Sequence, residues 1–164
     1  MVWNEQEVGA IMIKKILIGL CFIGLGLILK VANAEAPEVP LQEQSTSEIV
    51  GYFTNLYGSD YDLVMSVLFE ESGFRMVCGD NGKSCGVAQY NKDTFIRHSK
   101  ALGEELDYES SFDQLKLISF AFSYSEAYRR EWTTYRAIQN GGTYIFTDKY
   151  GKTHTVHAEL KDWS

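Results

Sequence analysis

The sequence predicts a mainly α-helical fold that ends in a β-hairpin. Apolar residues recur at helical spacing in successive segments between residues 46 and 142. Gly, Ser, Asp and Asn flank these segments, where helix caps are expected. After residue 142 the chain changes to two β-prone runs, 143–147 and 153–158, which are joined by a turn-forming segment. A length of 164 residues suits a single domain with one core.

The first two helices are predicted from their caps. A Ser-x-x-Glu capping box at residues 45–48 starts a helix that ends before Gly58. Ser59 or Asp60 caps the second helix, which ends near Gly73. This helix is apolar on nearly all sides, so it should lie in the core.

A glycine-rich loop over residues 74–86 follows, and three more helices are predicted after it. They run from Asn91 or Lys92 to about Ala101, from Ser110 or Ser111 to about Tyr128, and from Glu131 to Gln139.

The first 34 residues have the order of a secretory signal. Lys14 and Lys15 precede an uncharged apolar run, 16–29, and Ala32-Asn33-Ala34 supplies small residues before a cleavage site. We therefore expect export to the periplasm, the cell wall or the medium after cleavage near Ala34. Residues 1–11 have the character of a gene-start extension.

The alternative is an uncleaved membrane anchor formed by residues 16–31, which would be the chain's one contact with a membrane. On either interpretation the expected organisation has four parts. They are a signal segment over 1–34, an extended tether over 35–45 that contains Pro37 and Pro40, a helical domain over 46–142 and a hairpin tail over 143–164.

The formal net charge of -7 makes the chain acidic. Binding to nucleic acid depends on neutralising phosphates, so no nucleic-acid partner is expected. We expect a monomer.

Glu71 is the candidate catalytic acid. It follows Val67 by four residues and Leu68 by three, so helical geometry places it on the apolar face. Apolar surroundings disfavour a charged carboxyl group and raise its pKa, and the end of a helix acts in the same direction. Cleavage of a glycosidic bond requires such a protonated acid. Glu70 is the rival, in a more mixed setting.

Residues 61–95 resemble the soluble lytic transglycosylase and goose-type lysozyme family. An apolar helix ending in Glu71-Ser72-Gly73-Phe74 looks like the family's catalytic Glu-Ser motif. The segment Ser84-Cys85-Gly86-Val87-Ala88-Gln89 resembles the family's cleft-lining Gly-hydrophobic-small-Gln segment. Thr94-Phe95 then opens the following helix.

The resemblance implies a lysozyme-like helical domain that cleaves the bond between N-acetylmuramic acid and N-acetylglucosamine in peptidoglycan. Glu71 would be the general acid, and the family needs no cofactor. The substrate-binding residues would be Ser72, Gly86, Gln89, Tyr90 and Tyr135, the last as a weak counterpart of the family's late cleft tyrosine. Glycine lets backbone approach a ligand closely, and a glutamine amide offers both a donor and an acceptor.

The pattern leaves the product open. Capture of the glycosyl centre by a sugar hydroxyl gives a lytic transglycosylase, and capture by water gives a muramidase. A non-catalytic peptidoglycan-binding module on the same scaffold is the alternative function. No second catalytic carboxylate is evident; Asp80 either assists in the cleft or, as we expect, caps its turn.

Cys78 and Cys85 flank the glycine-rich loop. An even count after signal removal favours a disulfide between them, and two free thiols are the alternative. No metal site is expected, because His154 and His157 are three apart on a predicted strand and so face opposite sides.

Overall fold

A computed structural model describes residues 40–163, so the predicted signal segment lies outside the described residues. Six α-helices dominate this part of the chain and confirm the mainly α class. Their bounds are α1 Thr46–Tyr57, α2 Tyr61–Ser72, α3 Lys92–Leu102, α4 Ser111–Tyr124, α5 Glu126–Arg129 and α6 Thr133–Gln139. In the described part, no helix is long and apolar enough to cross a membrane.

Side-chain caps fix the starts of α1 and α2. The predicted capping box is confirmed: the Glu48 amide donates to Ser45 Oγ at 3.4 Å, and the Ser45 amide donates to Glu48 Oε2 at 2.8 Å. Of the two candidates for α2, Asp60 is the cap, since its Oδ1 accepts from the Leu63 amide at 3.0 Å. Such a cap contributes about 1 kcal/mol to the stability of its helix. Ahead of α1, Leu41–Glu43 forms a short 3-10 helix.

The core is built around α2. Val64, Val67 and Leu68 are fully buried there, as the all-round apolar pattern predicts. Helices α1, α4 and α6 all contact α2, and α3 packs on α4. Burying each of these aliphatic side chains contributes about 1.5–3 kcal/mol, so α2 is held firmly.

The predicted fourth helix is too long. Helix α4 ends at Tyr124, because Ser125 adopts an extended conformation and caps α5, its Oγ accepting from the Tyr128 amide at 3.3 Å. A serine hydroxyl that caps the next helix competes with continuation of the helix before it. The last helix, α6, begins at Thr133, two residues after the start that the sequence predicts at Glu131.

A small antiparallel sheet that the sequence does not predict begins in the glycine-rich loop and ends beyond it. Its strands are β1 Cys78–Gly79, β2 Ser84–Cys85 and β3 Tyr90–Asn91, in that order across the sheet. Strands of two residues are too short to show a periodicity. A short 3-10 turn, Asp80–Gly82, joins β1 to β2.

The predicted C-terminal hairpin is confirmed. Strands β4 Thr143–Thr147 and β5 Thr153–His157 pair antiparallel, with Thr143 opposite His157 and Thr147 opposite Thr153. His154 is half-buried against Phe146, whereas His157 is exposed, so the two histidines do face opposite sides.

The segment after the hairpin returns to α2. The Lys161 amide donates to Ser66 Oγ at 2.9 Å, and Trp163 Nε1 donates to the same oxygen at 3.2 Å. The Trp163 ring lies 5.6 Å from the Phe69 ring and 5.4 Å from the Phe74 ring, between ring centroids. The end of the chain therefore braces the helix that carries Glu71.

Candidate active site

The cavity that Glu71 lines is the candidate active site. It has a volume of about 530 Å³ and is bounded by the end of α2, the small sheet, the start of α3 and the start of α6. Its wall residues include Glu71, Asp80, Gln89, Tyr90, Glu131 and Trp132. The volume is in the range of pockets that hold small molecules or a few sugar units.

Glu71 and Glu70 are clearly distinguished. Glu71 is half-buried and lines the cavity, one residue before α2 ends at Ser72. Glu70 lies outside that wall, and its Oε1 is 3.2 Å from Lys161 Nζ. Glu71, which lines the cavity, is therefore the better placed of the two to act on a bound ligand.

Burial raises the pKa of Glu71 to about 7. The Thr134 hydroxyl, which donates to Glu71 Oε1 at 2.6 Å, opposes this rise in pKa, and the negative charge of Asp80 adds to it. Because the Thr134 bond occupies Oε1, Oε2 is the oxygen left to carry the proton. The group is thus partly protonated near neutral pH, as a general acid must be.

Ser72 has a different position from the one that the motif suggests. It is buried, and its Oγ donates to the Val87 carbonyl at 2.7 Å and to the Leu68 carbonyl at 3.3 Å. Ser72 does not line the cavity. It ties the end of α2 to the segment that carries Gln89, so it positions the site from behind.

Gln89 lines the cavity, but its donors are already used. Its Nε2 donates to the Val77 carbonyl at 2.7 Å and to the Gly86 carbonyl at 2.8 Å. Its backbone has a φ of 49°, in the left-handed region that is unfavourable for a residue with a side chain. Donation from the Gln89 side chain to a ligand would therefore require one of these two bonds to break.

Gly86 is not in the wall of the Glu71 cavity, so the structure does not bring its backbone to the acid. Its φ is 91°, and a Cβ atom there would lie 1.9 Å from Gln114 Nε2. Gln114 is fully buried, accepts from the Ala88 amide at 3.1 Å and donates to the Tyr108 carbonyl at 2.7 Å. The glycine is therefore required by packing.

Tyr90 and Trp132 lie at the base of the cavity. Both are nearly fully buried, with ring centroids 5.1 Å apart. Trp132 Nε1 donates to the Ala88 carbonyl at 2.9 Å, and the Tyr90 hydroxyl lies 3.4 Å from His98 Nδ1. Their polar atoms bond within the protein, and both rings are so deeply buried that they support the wall from behind.

Tyr135 does not line the cavity of Glu71. It is buried, its hydroxyl donates to Glu126 Oε2 at 2.6 Å, and it lines a separate cavity behind α6. The residue that α6 brings to Glu71 is the preceding one, Thr134. A helix turns by about 100° per residue, so a shift of one position moves a side chain to a different face.

Glu131 is the site residue that the sequence does not single out. It lines the cavity, pairs with Arg97, and lies with its Oε1 3.4 Å from His98 Nε2. His98 is fully buried and stacks on Tyr128 at 4.0 Å between ring centroids. Burial lowers the pKa of His98, and the neighbouring Glu131 opposes that effect. Glu131 lies more than thirty positions after Arg97 and His98, so no local pattern in the sequence connects it with them.

The loop between the motifs is closed by a disulfide. Cys78 and Cys85 are bonded, which confirms the predicted pair. Between them, the backbone of Asp80 and Asn81 has positive φ, and the Lys83 amide closes the turn on the Asp80 carbonyl at 3.3 Å. The Asp80 carboxylate meanwhile lines the cavity. The turn is thus closed by backbone, and the Asp80 side chain belongs to the site.

Over residues 40–163, no three His, Cys, Asp or Glu side chains are grouped to hold a metal ion. The chemistry of the cavity is that of a partly protonated carboxyl group with two further carboxylates, Asp80 and Glu131, in the wall. Glu131 is paired with Arg97, so Asp80 is the wall acid placed to favour positive charge that develops during a reaction.

The sequence matches no protein-family model, and no curated protein and no solved structure matches it.

Proposed function

We propose that this chain is an exported, lysozyme-like enzyme that cleaves peptidoglycan at the bond between N-acetylmuramic acid and N-acetylglucosamine. The observation that carries the proposal is the Glu71 carboxyl group, which lines a cavity of about 530 Å³ and has a pKa raised to about 7. A carboxylic acid that keeps its proton near neutral pH is the group that protonates a glycosidic oxygen.

The proposed reaction begins with proton transfer from Glu71 Oε2 to the bridging oxygen of the glycan. The bond from the glycosyl carbon to that oxygen then breaks, and positive charge develops on the sugar ring. The carboxyl group of Asp80, in the same wall, favours that charge, whereas Glu131 is already paired with Arg97. A sugar hydroxyl or a water molecule attacks the glycosyl carbon and returns its proton to the Glu71 carboxylate, so the acid is regenerated.

The cavity wall also suits a glycan chemically. Ser84, Asn91 and Thr94 add polar side chains to the wall. Scattered polar side chains of this kind donate to and accept from sugar hydroxyl groups.

Replacing the Glu71 carboxyl group by an amide removes the proposed acid. Glu71→Gln should lower the rate of cell-wall clearing by at least about 100-fold, because general acid catalysis contributes a factor of this order. Glu70→Gln is the matched control, since it makes the same exchange one residue away on the side paired with Lys161. The control should keep nearly full activity.

Mass spectrometry of the released fragments reports the reaction type. Anhydro ends identify a transglycosylase, and reducing ends identify a muramidase. Wild-type protein that binds cell walls and releases no fragment would overturn the proposed enzyme and leave the binding module. Equal loss of activity in the Glu70 and Glu71 variants would overturn the role given to Glu71.

We also propose that the enzyme acts outside the cytoplasm after loss of its first 34 residues. N-terminal sequencing of the exported form tests this directly. A start at Glu35 agrees with a cleaved signal, whereas an intact N-terminus in the membrane fraction indicates the anchor over residues 16–31.

A further inference from the structure

A second cavity of about 290 Å³ lies behind α6, and the proposed reaction makes no use of it. It is bounded by α5, α6 and the start of β4, and it shares no wall residue with the cavity of Glu71. Two arginines, Arg130 and Arg136, line it together with one acid, Glu126. The wall is therefore cationic in a chain whose formal net charge is -7.

Glu126 orders the cations around it. Its Oε1 accepts from Arg130 Nε at 2.9 Å, and its Oε2 accepts from Tyr135 at 2.6 Å and from Arg129 Nε at 3.2 Å. The Tyr135 hydrogen bond, followed by the Arg130 one, lowers the pKa of Glu126 to about 2. Arg129 thus adds a third cation behind the wall, and the single carboxylate does not neutralise the group.

Arg136 is held in place from two sides. Its Nε donates to the Arg130 carbonyl at 2.5 Å and its Nη1 donates to the Tyr144 hydroxyl at 3.0 Å, with the guanidinium 5.4 Å from the Tyr144 ring centroid. A guanidinium has five N–H donors in a planar fork, so donors remain on Nη2. The Arg130 side chain is 67% exposed, and its outer nitrogens are accessible as well.

The mouth of the cavity adds neutral polar groups. Gln139 and Asn140 follow one another at the end of α6, both are exposed, and both line the cavity. Side-chain amides of this kind bind peptide groups, since each has a donor and an acceptor. Two arginine forks beside two amides form a site for a carboxylate carried on an amide-rich chain.

We propose that this second cavity binds a carboxylate of the short peptides that branch from the peptidoglycan strand, with Arg130 and Arg136 as its ligands. The proposal rests on the proposed function for the choice of polymer. Through this cavity the enzyme would bind preferentially to stretches of glycan that carry peptides, while Glu71 acts on the glycan strand itself.

The test measures binding of the Glu71→Gln chain, so that cleavage does not consume the ligand. The two probes are purified glycan strands with intact peptides and the same strands after an amidase has removed the peptides. The amidase hydrolyses the amide bond that joins each peptide to the lactyl carboxyl of the sugar. The stripped strand therefore loses the carboxylates of the peptide and gains the freed lactyl carboxylate, which makes it a second candidate ligand. We expect binding to the peptide-bearing strands to be about tenfold tighter, the factor that a charged hydrogen-bond pair supplies.

Adding Arg130→Gln and Arg136→Gln should abolish this tenfold preference. The control double variant, Lys100→Gln with Lys152→Gln, removes two exposed cations elsewhere and changes the net charge equally. It should keep the preference. Arg130→Gln alone, at an exposed side chain, should weaken the preference even if the double variant folds poorly.

Three outcomes overturn the proposal. They are equal binding of the two probes, equal loss of preference in the arginine and lysine variants, and tight binding of the stripped strands that depends on the arginines. The last would identify the sugar carboxylate as the ligand. Cleavage without any peptide preference removes this inference alone, whereas peptide-dependent binding without cleavage removes only the enzymatic proposal.

Discussion

Two side chains act on the Glu71 carboxyl group in opposite directions. Thr134 donates a hydrogen bond that favours the ionised form, and Asp80 contributes a negative charge that favours the protonated form. Both effects are smaller than that of burial, which sets the direction of the pKa shift. The acid is therefore defined by the apolar end of α2 and adjusted by α6 and the small sheet.

The pH dependence of activity follows from this balance. Activity that needs protonated Glu71 should fall as the pH rises through about 7. Thr134→Val removes the bond that lowers the pKa, so the alkaline limb should move to higher pH. Asp80→Asn removes the charge that raises the pKa, so the limb should move to lower pH. Profiles of kcat/KM between pH 5 and pH 9 measure both shifts, and shifts of the same sign would contradict the assignment.

The same environment also predicts a stability effect that is independent of catalysis. A folded-state pKa raised to about 7 means that the free energy of unfolding falls as the pH rises from about 4.5 to about 7. Glu71→Gln avoids this penalty and should stabilise the chain by up to about 3 kcal/mol at pH 8 and by little at pH 4. Urea unfolding at the two pH values measures the difference. An equal gain from Glu70→Gln would show that the effect does not belong to the site.

At the level of secondary structure, caps decide which helix boundaries the sequence reveals. The Ser45–Glu48 box and the Asp60 cap are local signals, and they mark α1 and α2 correctly. The end of α4 depends on Ser125, whose hydroxyl can serve either within a helix or as the cap of the next one. That choice is made by packing of α5, which a local pattern does not contain.

The site shows the same division between local and distant signals. Glu71 is predictable because its apolar neighbours lie three and four residues away on one helix. Thr134 reaches Glu71, and Glu131 reaches the cavity wall, from a segment far along the chain, and only tertiary structure brings them there. The assignment of Tyr135 instead of Thr134 comes from matching a motif in sequence without fixing the helix face.

The disulfide should matter most for the small sheet. Cys78 and Cys85 enclose a short loop, and closing such a loop in the unfolded chain contributes about 2–3 kcal/mol to stability. Cys78→Ser with Cys85→Ser should lower the free energy of unfolding by this amount. A reductant should lower it equally in the wild-type chain and have no effect on the double variant. An unchanged wild-type unfolding curve in reductant would contradict the prediction.

On the scale of the whole molecule, the two ends of the described chain have unequal roles. Leu41, near the first described residue, packs at the edge of the core. The last residues, in contrast, return across the fold to α2, where Lys161 and Trp163 bond to Ser66. The contacts of Lys161 and Trp163 with Ser66 have no sequence signature, because each joins positions almost one hundred residues apart.

The contacts of Trp163 predict a measurable contribution of this residue to stability. Trp163→Ala removes a half-buried ring from Phe69 and Phe74 and should cost about 2 kcal/mol of unfolding free energy. Tyr150→Ala is the control, since that ring is 79% exposed and its loss should change stability little. Thermal denaturation of both variants compares them. Equal changes would show that the terminus does not brace α2.

The close packing of Gly86 on Gln114 has an evolutionary consequence. A side chain at position 86 would overlap the Gln114 amide, which in turn holds the Ala88 backbone. We therefore expect related proteins that have glutamine at position 114 to have glycine at position 86, and changes at the two positions to occur together. A search that scores this pair jointly, twenty-eight positions apart, would recognise distant kin that single-position scoring overlooks.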